Sequence, residues 1–243
     1  YFNRTPASSG NRKTNTFSAW VKRGTLATNN MFWSAWQTSP TDSTNTAVYF
    51  NTSDQLVISG NSVNWRITTQ VFRDPSAWYH IIVVVDTTQA TAANRIRLYV
   101  NGFEVTAFGT TNAPTQNIDL AFSANIQHYI SSTPSGSAGY YFDGYLAEVN
   151  FIDGQALTPS SFGYTDPSTG VWQPKAYSGT YGTNGFYLKF LDNSASTAAT
   201  IGKDYSGNGN NWTPNNISMS PTTASTYDSM LDSPTARSIL LIT

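Results

Sequence analysis

The chain of 243 residues contains no cysteine. That absence excludes disulfide bridges, zinc or iron–sulfur sites built on cysteine, and catalysis by a thiol. Glutamate and histidine are also scarce: the sequence holds only Glu104, Glu148, His80 and His128. The side chains that most often carry acid–base catalysis are therefore few.

Charged residues make up only 11% of the chain, whereas an average soluble domain has roughly 25%. Ser, Thr, Asn and Gly take their place, a composition typical of extracellular β-proteins and virion components. The formal net charge of −1 disfavours nucleic-acid binding. No Lys or Arg lies between Arg97 and Lys175. The acidic residues there either bind a cation or a basic partner, or are neutralised across the fold by the basic N-terminal segment.

No apolar run is long enough to span a membrane, so we expect no membrane insertion. The sequence opens on Tyr1 rather than Met, which indicates a processed or trimmed chain, and no signal peptide is recognisable. The last eight residues, 236–243, are apolar for a free tail. We expect them to form a docked edge strand or to open a further segment.

Common catalytic motifs are missing. The sequence has no Gly-x-Ser-x-Gly elbow, no phosphate-binding or dinucleotide-binding glycine pattern, and no His-x-x-x-His pair. Retaining glycosidases need two carboxylates about 5 Å apart. Asp143 and Glu148 are five positions apart on one predicted strand, which places them on opposite faces. The sequence predicts a protein that is not an enzyme.

Strands dominate what is present. Residues 78–86, read Trp-Tyr-His-Ile-Ile-Val-Val-Val-Asp, form an aromatic-led, β-branched block of strand length. Residues 95–105 alternate apolar and polar side chains around Asn101-Gly102, a pair that suits a type I′ hairpin turn. In such a hairpin Val100 faces Phe103, so Ile96, Leu98, Val100, Phe103 and Val105 are predicted to point into the core.

Similar segments recur along the chain, separated by clusters of Gly, Pro, Asn, Asp, Ser and Thr. This spacing predicts an all-β fold, a two-sheet antiparallel β-sandwich. Within residues 17–22, Phe17, Ala19 and Val21 share one face, and Ser18, Trp20 and Lys22 share the other. The predicted strands are 16–22, 47–50, 55–59, 65–69, 79–85, 96–100, 103–108, 118–123, 144–152 and 185–191.

Four of these segments resemble, in order, the motifs of laminin-G-like domains of the concanavalin A-like superfamily. They are Phe-Ser-Ala-Trp-Val-Lys at 17–22, the block at 78–86, Leu-Tyr-Val-Asn-Gly at 98–102, and Phe-Asp-Gly-Tyr-Leu-Ala-Glu-Val-Asn-Phe at 142–151 followed by Gln-Ala-Leu-Thr at 155–158. The resemblance implies a jelly roll that binds glycans or proteins, often with calcium. One branch of the superfamily hydrolyses polysaccharides with two glutamates in a Glu-x-Asp-x-x-Glu pattern, which this chain lacks.

The C-terminal part departs from the family order. A strand ending in Phe-Leu-Asp and an Asp-Tyr-Ser-Gly-Asn-Gly-Asn loop stand at the back, at 190–192 and 204–210, although many relatives carry such elements at the front. We therefore divide the chain into a jelly roll, 1–191, and a loop-rich segment, 192–243. The second segment either closes the sandwich, which we favour, or leads into a neighbouring module. This arrangement, with the Leu-Asp-Ser-Pro-Thr motif at 231–235, resembles tail and virion structural proteins of bacteriophages, notably marine phages.

The loop at 204–210 offers hard oxygen donors and tightly turning glycines, as a calcium site requires. The resemblance implies Asp204, Asn208 and Asn210 as calcium ligands, with Asp192 as a further candidate. The alternative is an Asn/Gly turn without metal.

Sugar binding requires flat apolar rings beside amides and carboxylates. We select Trp36, Trp172, Tyr140 and Tyr141 as candidate ligand-binding residues in predicted loops. The alternative is that such aromatics belong to the core or to contacts between subunits. The other aromatic residues near predicted loops are Trp33, Trp65, Trp212, Tyr129, Tyr164, Tyr177 and Tyr181.

These features predict a non-catalytic structural or adhesive module at a virion surface, either a tail fibre or a capsid-surface decoration. Its expected partners are other virion proteins, copies of itself, or a cell-surface polysaccharide, and not nucleic acid. The alternative is a secreted bacterial carbohydrate-binding or enzyme accessory module in an extracellular setting. A glycoside hydrolase is a third possibility.

Overall fold

A computed structural model describes residues 1–37, 41, 44–60, 63–133, 140–219, 228 and 234. Within these ranges the chain forms strands and two short 3-10 turns, Ala92–Arg95 and Pro159–Ser161. The strands are β1 Phe2–Arg4, β2 Thr14–Arg23, β3 Asn30–Trp36, β4 Asn45–Phe50, β5 Gln55–Ser59, β6 Asn64–Val71, β7 Trp78–Asp86, β8 Ile96–Val100, β9 Phe103–Glu104, β10 Phe108–Thr110, β11 His128–Ile130, β12 Gly144–Asp153, β13 Gly163–Thr165, β14 Trp172–Pro174, β15 Phe186–Leu188 and β16 Thr213–Pro214.

Two antiparallel sheets form the body. One has eight strands in the order β10-β6-β5-β4-β3-β11-β1-β16, and the other has six in the order β15-β12-β2-β7-β8-β9. β13 and β14 form a separate hairpin. The predicted two-sheet antiparallel β-sandwich is confirmed.

The sheets enclose one main core. Phe17, Val83, Leu98 and Val149, from four neighbouring strands of the six-stranded sheet, are at most 1% exposed and belong to the same apolar cluster. Trp33 from β3 packs against them, with its ring stacked 5.2 Å from that of Phe17. Trp65 and Trp212 are buried in the same cluster. The interpretation that such aromatics belong to the core is thus confirmed for these three tryptophans, and Trp33 lies in strand β3, which was not predicted.

The six-stranded sheet is covered on its outer face as well. Residues of the segment 154–184, among them Phe162 and Tyr181, bury Ile82 and Val84 of β7 in a second apolar cluster. Burial on both faces explains why the sequence of β7 is continuously β-branched instead of alternating. Lys22 and Trp78, which pair with each other near one end of β2 and β7, are not members of this second cluster.

The hairpin between β8 and β9 forms as predicted. Asn101 and Gly102 have φ values of 50° and 85°, as a type I′ turn requires, and Val100 pairs with Phe103. The expected burial of Phe103 was wrong, however, because its side chain is 76% exposed. β9 is the edge of its sheet and has no neighbour on that side among the described strands.

Two other strand predictions were wrong. Residues 118–123 form no strand, because their backbone bonds to loops and side chains, such as Leu120 N–H to Arg12 O and Ala121 N–H to Thr46 Oγ1. Residues 103–108 form no single strand either. The hairpin ends at Glu104, and β10, which begins at Phe108, pairs with β6 in the opposite sheet.

The C-terminal segment packs on the same two sheets. Within residues 192–243, β16 pairs with β1, Asp204 forms a bridge with Leu188 of β15, and Trp212 enters the main core. Within the described part of the chain, no helix combines the length and the apolar character that crossing a membrane would require.

Candidate functional site

A groove of about 400 Å³ lies at one end of the six-stranded sheet, between its strands and residues 171–174. Four large aromatic side chains line it: Trp20, Trp78, Phe103 and Trp172. The volume falls within the range usual for small-ligand sites. Its remaining lining consists of Asn101, Val171, Gln173, Pro174 and Pro234.

The register between β2 and β7 determines where Trp20 and Trp78 lie. Trp20 pairs with His80, and Lys22 pairs with Trp78, so these side chains occupy adjacent rows on the same outer face of β2 and β7. Trp20 is only 5% exposed, and Trp78 is half-buried.

Trp172, on the β13–β14 hairpin, is held in a fixed orientation. Its Nε1–H donates to Nδ1 of His80 at 2.8 Å, and the two rings stack with centroids 6.0 Å apart. Gly102 and Gly163 leave room for the indole: an added Cβ would lie 2.5 Å and 2.3 Å from its carbon atoms. These contacts restrict the rotation of the indole, which makes Trp172 a rigid surface.

The change Gly163→Ala is therefore expected to displace the Trp172 ring. The new methyl group would overlap Cζ2, so the indole must move away from His80. We expect an altered near-ultraviolet circular dichroism spectrum in the tryptophan region. Gly109→Ala is the matched control, because the nearest heavy atom to its new carbon is the Ile67 carbonyl oxygen at 4.0 Å. If the Gly163→Ala spectrum is unchanged, Gly163 and His80 do not hold the Trp172 ring in place.

His80 also contacts Ser18, with 2.8 Å between Nε2 and Oγ. An indole N–H can only donate, so Nδ1 of His80 accepts and the proton of the neutral ring lies on Nε2. His80 therefore donates to Ser18 and cannot take its proton. Burial lowers the pKa of His80 to about 3, and Ser18 is only 1% exposed. This pair has the wrong tautomer for a serine nucleophile and its base.

The second histidine is held in a similar way. His128 donates from Nδ1 to the Ile126 carbonyl and accepts the Ser123 N–H at Nε2. Burial lowers the pKa of His128 to about 4. Both histidines are thus neutral in the folded state and become protonated near pH 6.5 in the unfolded state.

The fold is therefore expected to lose stability as the pH falls below 6.5, before the carboxylates begin to be protonated. Between pH 6.5 and about 4 the unfolded chain binds more protons, so the free energy of unfolding falls by roughly 1 kcal/mol per pH unit for each histidine. Above pH 6.5 this contribution is complete. Urea denaturation at several pH values measures it. His128→Gln should reduce the slope, and an unchanged slope would contradict this origin.

The two carboxylates at β12, Asp143 and Glu148, are bonded to different parts of the fold. Glu148 lies at a bulge with a φ of 51° and accepts a hydrogen bond from the Tyr187 hydroxyl. Asp143 precedes the strand and accepts from Thr25 N–H at 3.1 Å. Each carboxylate thus has its own partner. Among the described residues, no cluster of three or more His, Asp or Glu side chains is arranged to hold a metal ion.

The four predicted ligand-binding residues do not share one site. Trp172 lines the groove, whereas Tyr141 lines a separate cleft of about 620 Å³. Tyr140 is exposed beside β3, where its carbonyl accepts the Met31 N–H. Trp36 ends β3 and is half-buried in the other sheet rather than in a loop.

Three groove residues were missed by the sequence analysis: Trp20, Trp78 and Phe103. The alternation within residues 17–22 already places Trp20 and Lys22 on the face opposite the core. A bulky tryptophan at an outward position was the signal that could have identified the groove. Phe103 had no such signal, because the alternation of residues 95–105 predicted that its side chain points into the core.

The predicted calcium loop is a tightly bonded turn. The Asp204 carboxylate is buried and accepts four hydrogen bonds, from Tyr187 N–H, Ser206 N–H, Ser206 Oγ and Asn210 N–H. The Asn208 and Asn210 side chains turn their amide nitrogens toward the carbonyl oxygens of residues 182, 183 and 185.

A cation would have to compete with these bonds. Asn210 Oδ1 already accepts from the Arg4 guanidinium, a positive charge that opposes a metal ion. Asp192 accepts from Ser194 N–H and Oγ. As arranged, these residues do not fit a calcium ion without breaking hydrogen bonds. Calcium binding stays a prediction, which a comparison of melting temperatures in calcium chloride and in a chelator tests.

Comparison with known families gives one match. A laminin G family model described as "Concanavalin A-like lectin/glucanases superfamily" matches residues 3–161. No curated protein sequence is significantly similar to the chain.

Solved structures share the fold. A Bacteroides ovatus protein named for carbohydrate binding superposes with a TM-score of 0.57 at 18% identity over 93% of this chain. The match covers 57% of that protein's length. A heptameric SAP-like pentraxin from Limulus polyphemus has a TM-score of 0.45 at 16% identity, covering 65% of this chain and 72% of the pentraxin. Domain 4 of an extracellular arabinanase from Geobacillus stearothermophilus has a TM-score of 0.42 at 22% identity, covering 63% and 65%.

Proposed function

This chain belongs to the concanavalin A-like lectin/glucanases superfamily, and we propose that it binds carbohydrate in the tryptophan groove. One observation carries the proposal: Trp20, Trp78, Phe103 and Trp172 converge on a single open groove, with Trp172 held rigidly by His80. Rigid aromatic rings offer a large contact area at a low cost in conformational entropy.

The polar groups of the groove support the same proposal. Asn101 and Gln173 line the groove. The Asn101 amide oxygen accepts the His80 backbone N–H at 2.8 Å, while its NH₂ group can donate to a hydroxyl and the Gln173 amide can both donate and accept. Apolar rings with a few polar groups between them match a ligand that has apolar C–H faces and hydroxyl edges. A sugar ring has that pattern.

We further propose that the protein binds without catalysis. The groove lining holds no carboxylate among the described residues, and the tautomer of His80 prevents it from activating Ser18. Glu148 and Asp143 are engaged elsewhere. Incubation with the glycans that bind should therefore leave them intact, and release of reducing ends would contradict this proposal.

The biological setting we propose is a virion surface, where the module serves as an adhesive or structural part of a tail fibre or capsid decoration. The low charge of the chain and the resemblance of its C-terminal order to phage structural proteins support it. Of the motif at 231–235, only Pro234 lies within the described residues. The alternative is a secreted bacterial carbohydrate-binding module. Gene neighbours and the complete reading frame distinguish the two.

A glycan array followed by calorimetric titration tests the proposed function. We expect binding to at least one polysaccharide, with quenching or a shift of tryptophan fluorescence. If the Trp172→Ala variant binds the glycan as tightly as the unaltered chain, the sugar does not bind in the tryptophan groove. If no glycan binds, the proposed function is wrong and the aromatic groove is expected to be a protein contact instead. Self-association would then appear as an increase in particle size with protein concentration.

A further inference from the structure

The tryptophan groove and the larger cleft share one residue. Trp78 lines the groove of about 400 Å³ and also the cleft of about 620 Å³, whose near wall includes Gly144 and Tyr145. The two depressions therefore meet at Trp78.

Strand register shows how the two are connected. Tyr145 of β12 pairs with Lys22 of β2, and Lys22 pairs with Trp78 of β7. The three side chains form one row across neighbouring strands, which lie about 4.8 Å apart. Tyr145 is 44% exposed, and none of the three residues belongs to the second apolar cluster on this face. Tyr145 and Trp78 thus offer two aromatic surfaces about 10 Å apart, measured across the strands.

Few charged side chains line the groove and the cleft. The described lining of the groove is uncharged. The three charged residues of the cleft have intramolecular partners: Asp143 accepts from Thr25, Asp228 accepts from Ser218 N–H, and Lys189 lies 5.0 Å from the Tyr187 ring centroid.

Lys22 stands within the row and has a counter-charge nearby. The pKa of Asp74 is lowered mainly by hydrogen bonds from Ser76 and also by the positive charge of Lys22. A cation with an anion nearby gives no strong preference for a negatively charged ligand.

We propose that the groove and the adjoining wall of the cleft form one binding track for a neutral, linear glycan that crosses β7, β2 and β12. The Trp172 end holds one part of the sugar chain and the Tyr145 end another, with Trp78 between them. Lys22 donates hydrogen bonds to hydroxyl groups along the way. This inference rests on the proposed function and specifies its ligand as uncharged and several sugar units long.

Calorimetric titration with oligosaccharides of increasing length, cut from a neutral polysaccharide that binds, tests the inference. Affinity should rise at least tenfold from the shortest fragments to those long enough to reach Tyr145, and then level off. An affinity that does not depend on length would overturn the track while leaving the groove as a sugar site. An absence of binding at every length, and to the parent polysaccharide, would instead refute the proposed function.

Single substitutions distinguish the contribution of Tyr145, at one end of the track, from that of Trp172, at the other. Tyr145→Ala should lower the affinity for long fragments severalfold and leave short fragments unaffected, whereas Trp172→Ala should weaken both. Tyr140→Ala is the matched control, because Tyr140 is exposed but lines neither the groove nor the cleft among their described residues. Equal losses for long and short fragments in Tyr145→Ala would contradict the track.

Charge is tested separately. Uronic-acid and sialic-acid polysaccharides should bind more weakly than neutral ones, and Lys22→Gln should reduce neutral binding only slightly. Preference for an acidic glycan that disappears in Lys22→Gln would overturn the assignment of a neutral ligand.

Discussion

Replacing Trp172 with alanine is expected to weaken glycan binding by about 30-fold or more, which corresponds to about 2 kcal/mol. The indole forms one side of the groove and is fixed by His80, Gly102 and Gly163. Its removal deletes a rigid aromatic surface and lets water reach the place where the sugar packs. Isothermal titration with the best ligand from the array measures the change.

Two variants control for this effect. Trp172→Phe keeps an aromatic ring but loses the Nε1–H donor, so it should retain most of the affinity and lose about 1 kcal/mol of stability. Trp36→Ala removes a half-buried tryptophan from the opposite sheet, and its affinity should match that of the unaltered chain. If Trp36→Ala and Trp172→Ala bind equally weakly, the loss reflects general damage to the fold.

Replacing Asp54 with alanine is expected to destabilise the fold by about 3–5 kcal/mol. Asp54 accepts from Arg23 Nη1, Arg73 Nε and Ala27 N–H at 2.7–2.9 Å. The Arg23 side chain is 0% exposed. Burial raises the pKa of Asp54, but these hydrogen bonds outweigh it and hold the pKa below its usual value. Without the carboxylate, a buried guanidinium keeps its charge and loses its counter-ion. Equilibrium denaturation measures the loss.

The control is the exposed pair formed by Lys13 and Asp119. Their charged atoms are 3.9 Å apart, and both side chains are largely in solvent, so Asp119→Ala should change stability by less than about 1 kcal/mol. Arg73→Ala should also cost less than Asp54→Ala, because the Arg73 side chain is 61% exposed. Equal effects of Asp54→Ala and Asp119→Ala would show that burial of Arg23 does not govern the loss.

Alternation and turn chemistry were sufficient to predict the sandwich. The strands at 55–59 and 96–100 were predicted with their observed bounds, and the Asn101-Gly102 turn formed as expected. Their signals are local: β-branched runs, period two, and a pair of residues that tolerates positive φ. Strand β3 lacked such a signal, since Asn30–Trp36 holds no β-branched residue and carries a bulge between Met31 and Trp33.

The groove could be predicted only in part. Trp172 was selected because it lies in a predicted loop, but its neighbours come from β2, β7 and β9, between 69 and 152 positions earlier in the chain. Only the register that joins β2 to β7, and the two glycines that admit the indole, bring these rings together. Those are tertiary facts, which a pattern within one segment does not contain.

The position of β2 between β7 and β12 sets the order in which the chain can fold. β2 is synthesised before both of its partners, and the later of them ends only at residue 153. Until then a ten-residue strand lacks a neighbour on one side, and such an edge invites aggregation. Pairing over so long a stretch of chain is slow. Fragments that stop before β12 are therefore expected to depend on chaperones.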